Sequence, residues 1–488
     1  MSGRPFDRAT DIMAPLHLRP RVFDLGGAPD VGELLGALRG ARGLAALDSA
    51  GGSPASWSWV LFDPIVITRG ARARPRELAD LRGLVARLEP RGGERPPGPF
   101  AGGFVGALAY DLGVAGERQR LPRDPHSPPI AGGLYVDFVV IEHRARRAWL
   151  VLGEEPGDGR PPVRVRRDRF LGRLGAPPRA PLVRPLGPLV RHVSGAAFRE
   201  RIERARARIA QGEIYQANLA HRFSRTVAGE PVDLYRRLRR VNPAPYMGYL
   251  ACGRRTALLS ASPELLLELE GGSARTRPIK GTAGRDPDPA RDALARRRLL
   301  ESAKDRAELA MIVDLERNDL GRIARPGSVR VEGFPRLESY AAVHHLTADV
   351  VAEPRAGTDA VDVLAALFPG GSISGAPKLR SMDVIAELEG EGRGFFCGAM
   401  GFLDVLGRAR FNVLIRTLVW RATRPGVGEV GFHVGAGITW SSDAAAEERE
   451  TLYKGAALAA ALSGTDEAPD TLGIALPAPE QEAARAGL

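Results

Sequence analysis

From Leu16 onward, short apolar runs alternate with glycine-rich turns. Leu44–Asp48, Trp57–Phe62 and Ile65–Ile67 read as strands, and Tyr135–Ile141 with Ala148–Leu152 as a strand pair. Leu78, Leu81, Leu84 and Leu88 recur at helical spacing over Glu77–Leu88. The glycines of Phe100–Tyr110 lack a phosphate-loop pattern and are read as permitting close strand packing. Residues 153–188 are dense in Pro, Gly and Arg, which predicts a surface connection between two halves.

Ser194 caps a helix whose apolar positions are Phe198, Ile202, Ala205 and Ile209, and Gly212 ends it. Ile214–Phe223 reads as a strand, Val232–Leu238 as a helix and Asn242–Gly248 as a turn. Thr256–Leu269 reads as one strand that turns through Gly271-Gly272-Ser273 and returns carrying Lys280. A three-residue loop is expected, which makes Glu264 face Lys280 across the hairpin on one side of the sheet; a two-residue loop would put them on opposite faces. Asp288-Pro289 starts one helical stretch running towards Asn318. Phe395–Leu403 and Asn412–Trp420 read as a hairpin around Gly407, Gly431–Ile438 as a strand and Ala444–Leu462 as a helix.

The 488 residues suggest two domains or one large interleaved unit. We expect an N-terminal part over 1–185, a main part over 186–462 and a disordered tail over 463–488. Two cysteines give no disulfide framework and no zinc spacing. No apolar run is long enough for a membrane span, and the N-terminus lacks a signal-peptide core. A cytoplasmic protein is expected. The net charge of +11 comes as short basic clusters interleaved with other residues, which read as helix faces and not as a nucleic-acid surface.

The basic residues are unevenly chosen. Of 69 Lys plus Arg, only Lys280, Lys304, Lys378 and Lys454 are Lys. Lysine can lose its proton and act as a nucleophile, whereas arginine cannot; the alternative is that four survivors mean nothing. Asp305 and Glu308, like Glu447 and Glu450, are three apart and so share a helix face, either as a site or as an exposed polar surface. Phe368–Lys378 has the glycine spacing of a phosphate loop, but Ala376-Pro377 stands where Lys-Ser/Thr is required, so ATP binding is not expected.

Many ordered motifs resemble the chorismate-utilising enzymes: Ile214-Tyr-Gln-Ala-Asn-Leu219, Asn242-Pro-Ala-Pro-Tyr-Met247, Ser262-Pro-Glu264, Pro278-Ile-Lys-Gly-Thr282, Asp305-Arg-Ala-Glu308, Arg317-Asn-Asp-Leu-Gly321, Gly371–Lys378, Ile415-Arg-Thr417 and Gly435-Ala-Gly-Ile438. The resemblance is dense from Ser194 to Leu462 and weaker over Leu47–Leu152. It implies an α+β fold of large, mostly antiparallel sheets packed as a sandwich with helices outside. Lys280 and Leu47-Asp-Ser-Ala50 resemble the aminodeoxychorismate branch, of p-aminobenzoate and folate synthesis; the anthranilate branch, which carries Ala at the Lys280 position, is the alternative.

That resemblance implies Lys280 as nucleophile on the chorismate ring and Glu264 as acid for the departing hydroxyl. It implies Mg²⁺ on Glu308 and Glu450, with Asp305 and Glu447 as outer support. Thr282, His345, Arg416, Gly435 and Gly437 are the expected substrate contacts. Phe396 departs from a common Tyr, and Asp383 from a frequent Glu. Neither cysteine sits in a glutaminase nucleophile motif, so ammonia is expected from a separate glutamine amidotransferase subunit in a heterodimer, with no nucleic acid and no membrane involved.

Overall fold

The computed structural model describes residues 15–50, 57–69, 76–117, 119, 121–154, 159–175, 182–253, 255–340 and 343–464. The expectations for the first dozen residues and for the tail beyond Gly464 lie outside these. Two large sheets, 14-stranded and 10-stranded, form the body. Their pairings are antiparallel except for Leu16–Gly27 with Leu88–Pro90. Trp59 and Phe138 of the larger sheet meet Val105 and Phe402 of the smaller in one buried cluster. Helices cover the outer faces, where three further clusters lie among the described residues.

Each sheet draws strands from both sides of residue 186. Ala45–Asp48 pairs with Tyr246–Ala251 in the larger sheet, and Gly103–Leu108 with Ala399–Asp404 in the smaller. The two parts therefore interleave. The glycines of Gly103–Leu108 allow the close packing expected: a Cβ on Gly106 would stand 2.3 Å from the Ala131 carbonyl oxygen. The connection over 153–188 is more ordered than its composition suggests, since it holds the helix Val163–Leu174 and the strand Val183–Pro185.

Helix starts follow their side-chain chemistry. Ser194 accepts from the Ala197 N–H, and Asp288 from those of Ala290 and Arg291 with Pro289 at the first helical position. The long helix expected after Asp288 is two helices, Pro289–Glu301 and Ala303–Gly321. Ser302 ends the first, and its hydroxyl caps the second through the Asp305 N–H at 3.2 Å.

Three stretches read as continuous strands instead change sheets. Ile130–Tyr135 lies in the smaller sheet and Asp137–Glu142 in the larger. Thr256–Ser262 lies in the larger and Leu265–Glu270 in the smaller, so Pro263-Glu264 is the crossing. Ala409–Val413 and Thr417–Arg424 cross through residues 414–416. The last two crossings are stitched together: Val413 N–H donates to the Glu264 carbonyl at 3.1 Å, the Ser262 hydroxyl to the Val413 carbonyl at 2.6 Å and Ala261 N–H to the Arg416 carbonyl at 3.0 Å.

Candidate active site

Glu264 and Arg416 owe their positions to those crossings. Where a strand leaves one sheet for another, its ladder is interrupted and its side chains turn into the space between. Glu264 is 4% exposed. Burial pushes its pKa up to about 7, against the pull of the Ser372 hydroxyl, the Lys280 charge and the Ile279 N–H. Arg416 has a left-handed backbone, φ 52°, a conformation that needs support from its surroundings. Burial lowers its pKa, and its guanidinium has no hydrogen bond or ion pair among the described residues.

The hairpin expected to oppose Glu264 and Lys280 is built differently. Its loop is two residues, Gly271-Gly272, both with positive φ, and Glu270 pairs with Ser273. This is the loop whose twist suits antiparallel strands. A bulge between Leu265 and Glu268 then shifts the register, and Leu265 faces Arg277. Lys280 lies beyond this ladder, on Ile279–Gly284, which pairs with Val343–Ala352. The two side chains still converge: each appears among the charges that shift the other. Burial lowers the Lys280 pKa, Lys454 adds to this, and Glu308, Glu264 and Glu450 oppose it. Lys280 Nζ donates to the Ser372 carbonyl at 3.4 Å, so the Gly371–Ser374 turn touches both the amine and the acid.

Thr282 and His345 are register partners, with Thr282 Oγ1 2.9 Å from His345 Nδ1. Burial, aided by Arg416, holds His345 down to about 4, so the ring is neutral near pH 7. Gly437 leaves room for the amine, since a Cβ there would come within 3.2 Å of Lys280 Nζ. A Cβ on Gly435 would likewise stand 2.8 Å from Asn218 Oδ1.

The carboxylates come from two helices, Ala303–Gly321 and Ala444–Ser463. Lys304 Nζ lies 3.9 Å from Glu308 and 3.8 Å from Glu447, and Lys454 Nζ lies 2.6 Å from Glu450. Burial raises Glu308 and Glu447, and the Glu450 charge raises both further. For Glu450 itself burial also raises the pKa, but Lys454 outweighs it and the net shift is down. Asp305 packs behind, against Gly281 at φ 80°, where a Cβ would stand 2.9 Å from the Asp305 Cβ. Among the described residues, no three His, Cys, Asp or Glu side chains form a metal cage by themselves.

Three of the four lysines thus gather here. The fourth, Lys378, is buried against Asp319 at 2.6 Å, which removes it as an anion ligand of the glycine-rich loop. Phe396 stacks on His433, ring centroids 4.9 Å apart. Asp383 lies on the helix Lys378–Glu389, 3.8 Å from Arg380.

Sequence reasoning passed over two polar groups. The Gln216 amide is fully buried with neither atom hydrogen-bonded among the described residues, and its Nε2 lies 2.9 Å from the Cβ position of Gly437. Glu316 is 3% exposed, accepts from Thr276 Oγ1 at 3.0 Å and feels the Glu264 charge. Gln216 lies inside the Ile214–Leu219 motif and Glu316 directly precedes Arg317-Asn-Asp, but a polar residue in a motif gives no sign of its burial.

Residues 49–460 match the family of chorismate binding enzymes. The chain belongs to this family. It is 39% identical over 456 residues to anthranilate synthase component 1 of Streptomyces coelicolor, covering 90% of this chain and 85% of that protein. It is 39% identical over 359 residues to aminodeoxychorismate synthase component 1 of Klebsiella aerogenes, covering 73% and 76%. The crystal structure of anthranilate synthase component I from Streptococcus pneumoniae superposes with a TM-score of 0.70 at 29% identity, over 82% of this chain and 92% of that one. The α+β fold expected from the chorismate-utilising resemblance is therefore the observed one. No described helix is long and apolar enough to cross a membrane.

Proposed function

We propose that this chorismate-binding chain is an aminodeoxychorismate synthase component I, converting chorismate and ammonia to 4-amino-4-deoxychorismate and water. One observation carries the reading: the amine of Lys280 stands in electrostatic reach of buried Glu264, and burial drives the lysine towards its neutral form and the glutamic acid towards its protonated form. That is the pairing needed for a nucleophile and a general acid on one ring.

The steps balance. The neutral Lys280 amine attacks ring carbon 2, the ring double bond shifts, and the 4-hydroxyl leaves as water with the Glu264 proton. Ammonia then attacks carbon 4, the double bond returns, and the Lys280 amine is expelled. The proton shed by the incoming nitrogen restores Glu264. Ammonia is supplied by a separate glutamine amidotransferase subunit, in the cytoplasm. Arg416 and the backbone near Gly435 and Gly437 take one substrate carboxylate, with Thr282 and His345 beside the ring.

Glu308 and Glu450 would hold Mg²⁺, with Asp305 and Glu447 behind. Hard carboxylate oxygens from two helices suit it, and a site short of a full protein cage suits an ion that keeps water and substrate ligands. When bound, the ion neutralises the second substrate carboxylate. Glu308→Gln or Glu450→Gln is expected to weaken Mg²⁺ dependence and chorismate affinity together. An unchanged Mg²⁺ titration would remove these residues from the metal site.

The second reading, anthranilate synthase component I, is favoured by the name of the Streptomyces relative, which matches over more of this chain. Incubation with chorismate, Mg²⁺ and ammonium separates the two. We expect 4-amino-4-deoxychorismate; anthranilate fluorescence without an added lyase would overturn the proposal.

A further inference from the structure

Gln216 opens the strand Gln216–Gly229, and its main chain is held in place. It pairs with Ala376, and its carbonyl accepts from the Ser381 hydroxyl at 2.8 Å. The side chain is 0% exposed, yet neither amide atom has a hydrogen-bond partner among the described residues. Such a group costs stability. An apolar side chain would fill the same space without that cost.

The amide ends beside the Lys280 amine. Gln216 Nε2 lies 2.9 Å and Lys280 Nζ 3.2 Å from the point where a Cβ on Gly437 would stand, so the two are at most about 6 Å apart. Residue 437 is glycine and puts no side chain between them. Rotation at the ends of the two side chains can therefore bring them into hydrogen-bond contact. Turned over, the amide presents its oxygen in place of its nitrogen.

A neutral amine has two N–H groups and one lone pair. Attack needs the lone pair free, so the N–H groups are the ones to hold. The Ser372 carbonyl accepts from Lys280 at 3.4 Å and is itself fixed by Asn218 Nδ2 at 3.3 Å. An uncharged second acceptor completes the hold without drawing the amine back to ammonium, as a carboxylate would.

We propose that Gln216 is a positioning residue for Lys280: its amide oxygen accepts one N–H of the neutral amine, the Ser372 carbonyl accepts the other, and the lone pair is left to the substrate ring. The inference rests on the reading of Lys280 as nucleophile, but not on which amino product forms. An amide that acts on the amine alone affects kcat and leaves chorismate affinity unchanged.

The test uses Gln216→Leu and Gln216→Met, the second of the same length as glutamine. Chorismate consumption with ammonium gives kcat, calorimetry without ammonia gives the chorismate Kd, and thermal unfolding gives Tm. We expect kcat to fall about tenfold, close to the worth of one such bond, with Kd within about twofold. Tm should rise, because the unpartnered amide is gone. A purely structural role predicts the opposite, a fall in Tm, and that result would overturn the inference. So would an unchanged kcat, or a Kd that rises as far as kcat falls. Lys280→Ala, run alongside, separates the two readings. If it is inactive while both Gln216 variants keep full kcat, this inference alone fails. If it is fully active, the nucleophile reading fails and this one with it.

Discussion

Lys280→Ala is expected to abolish formation of the aminated product while leaving chorismate binding largely intact. The amine has no substitute nearby. Lys304 and Lys454 are each held on carboxylates, and Lys378 is buried against Asp319. The main-chain groups around it persist in the variant, because Gly437 and the Ser372 carbonyl do not depend on the lysine for their place in the ladder and turn. On the proposed chemistry, binding would then rest on Arg416, His345 and the ion that Glu308 and Glu450 would hold, and the loss falls on kcat. Steady-state turnover with chorismate titration in parallel checks this. Full activity in Lys280→Ala would refute a covalent role and leave direct attack by ammonia as the chemistry.

The residues of this site were legible long before their arrangement was. The scarcity of lysine singled out four positions, and three of them meet in the cleft. Helix starts at Ser194 and Asp288 were legible because a cap is local chemistry, settled within four residues. The sheet crossings at Pro263-Glu264 and at residues 414–416 were not. Alternation along a strand has the same period on either side of a crossing, so Thr256–Leu269 reads as one strand although its halves pair with different neighbours.

The hairpin shows the same limit from the other side. Gly271-Gly272 announces a turn, but the sequence does not say whether Ser273 belongs to the loop or the strand. The structure puts Ser273 in the ladder. The bulge at Leu265–Glu268 and the departure of Ile279–Gly284 to another partner then decide where Lys280 goes. Similarly, Ser302 reads as one more helical residue, whereas its extended backbone ends one helix and its hydroxyl caps the next, which carries Asp305 and Glu308. Each of these is a tertiary choice among locally equivalent options.

Glu264→Gln is expected to cost about 10²–10⁴ in kcat, the usual range for losing a positioned proton donor. The pH profile discriminates more sharply. The productive form has Glu264 protonated and Lys280 neutral. Burial pushes Glu264 up to about 7 and brings Lys280 down from its ordinary range. Below both titrations log kcat/KM rises with pH as the amine is freed. Above both, the acid continues to ionise with nothing gained, and the rate falls. In Glu264→Gln the residue at 264 cannot titrate. The residual rate should then rise as Lys280 loses its proton and stay level afterwards, without the alkaline fall of the unaltered protein. A variant profile that still falls at alkaline pH would assign that loss to another group and remove Glu264 from the acid role. The difference is readable even at low residual activity, because it lies in the shape of the curve and not in its height.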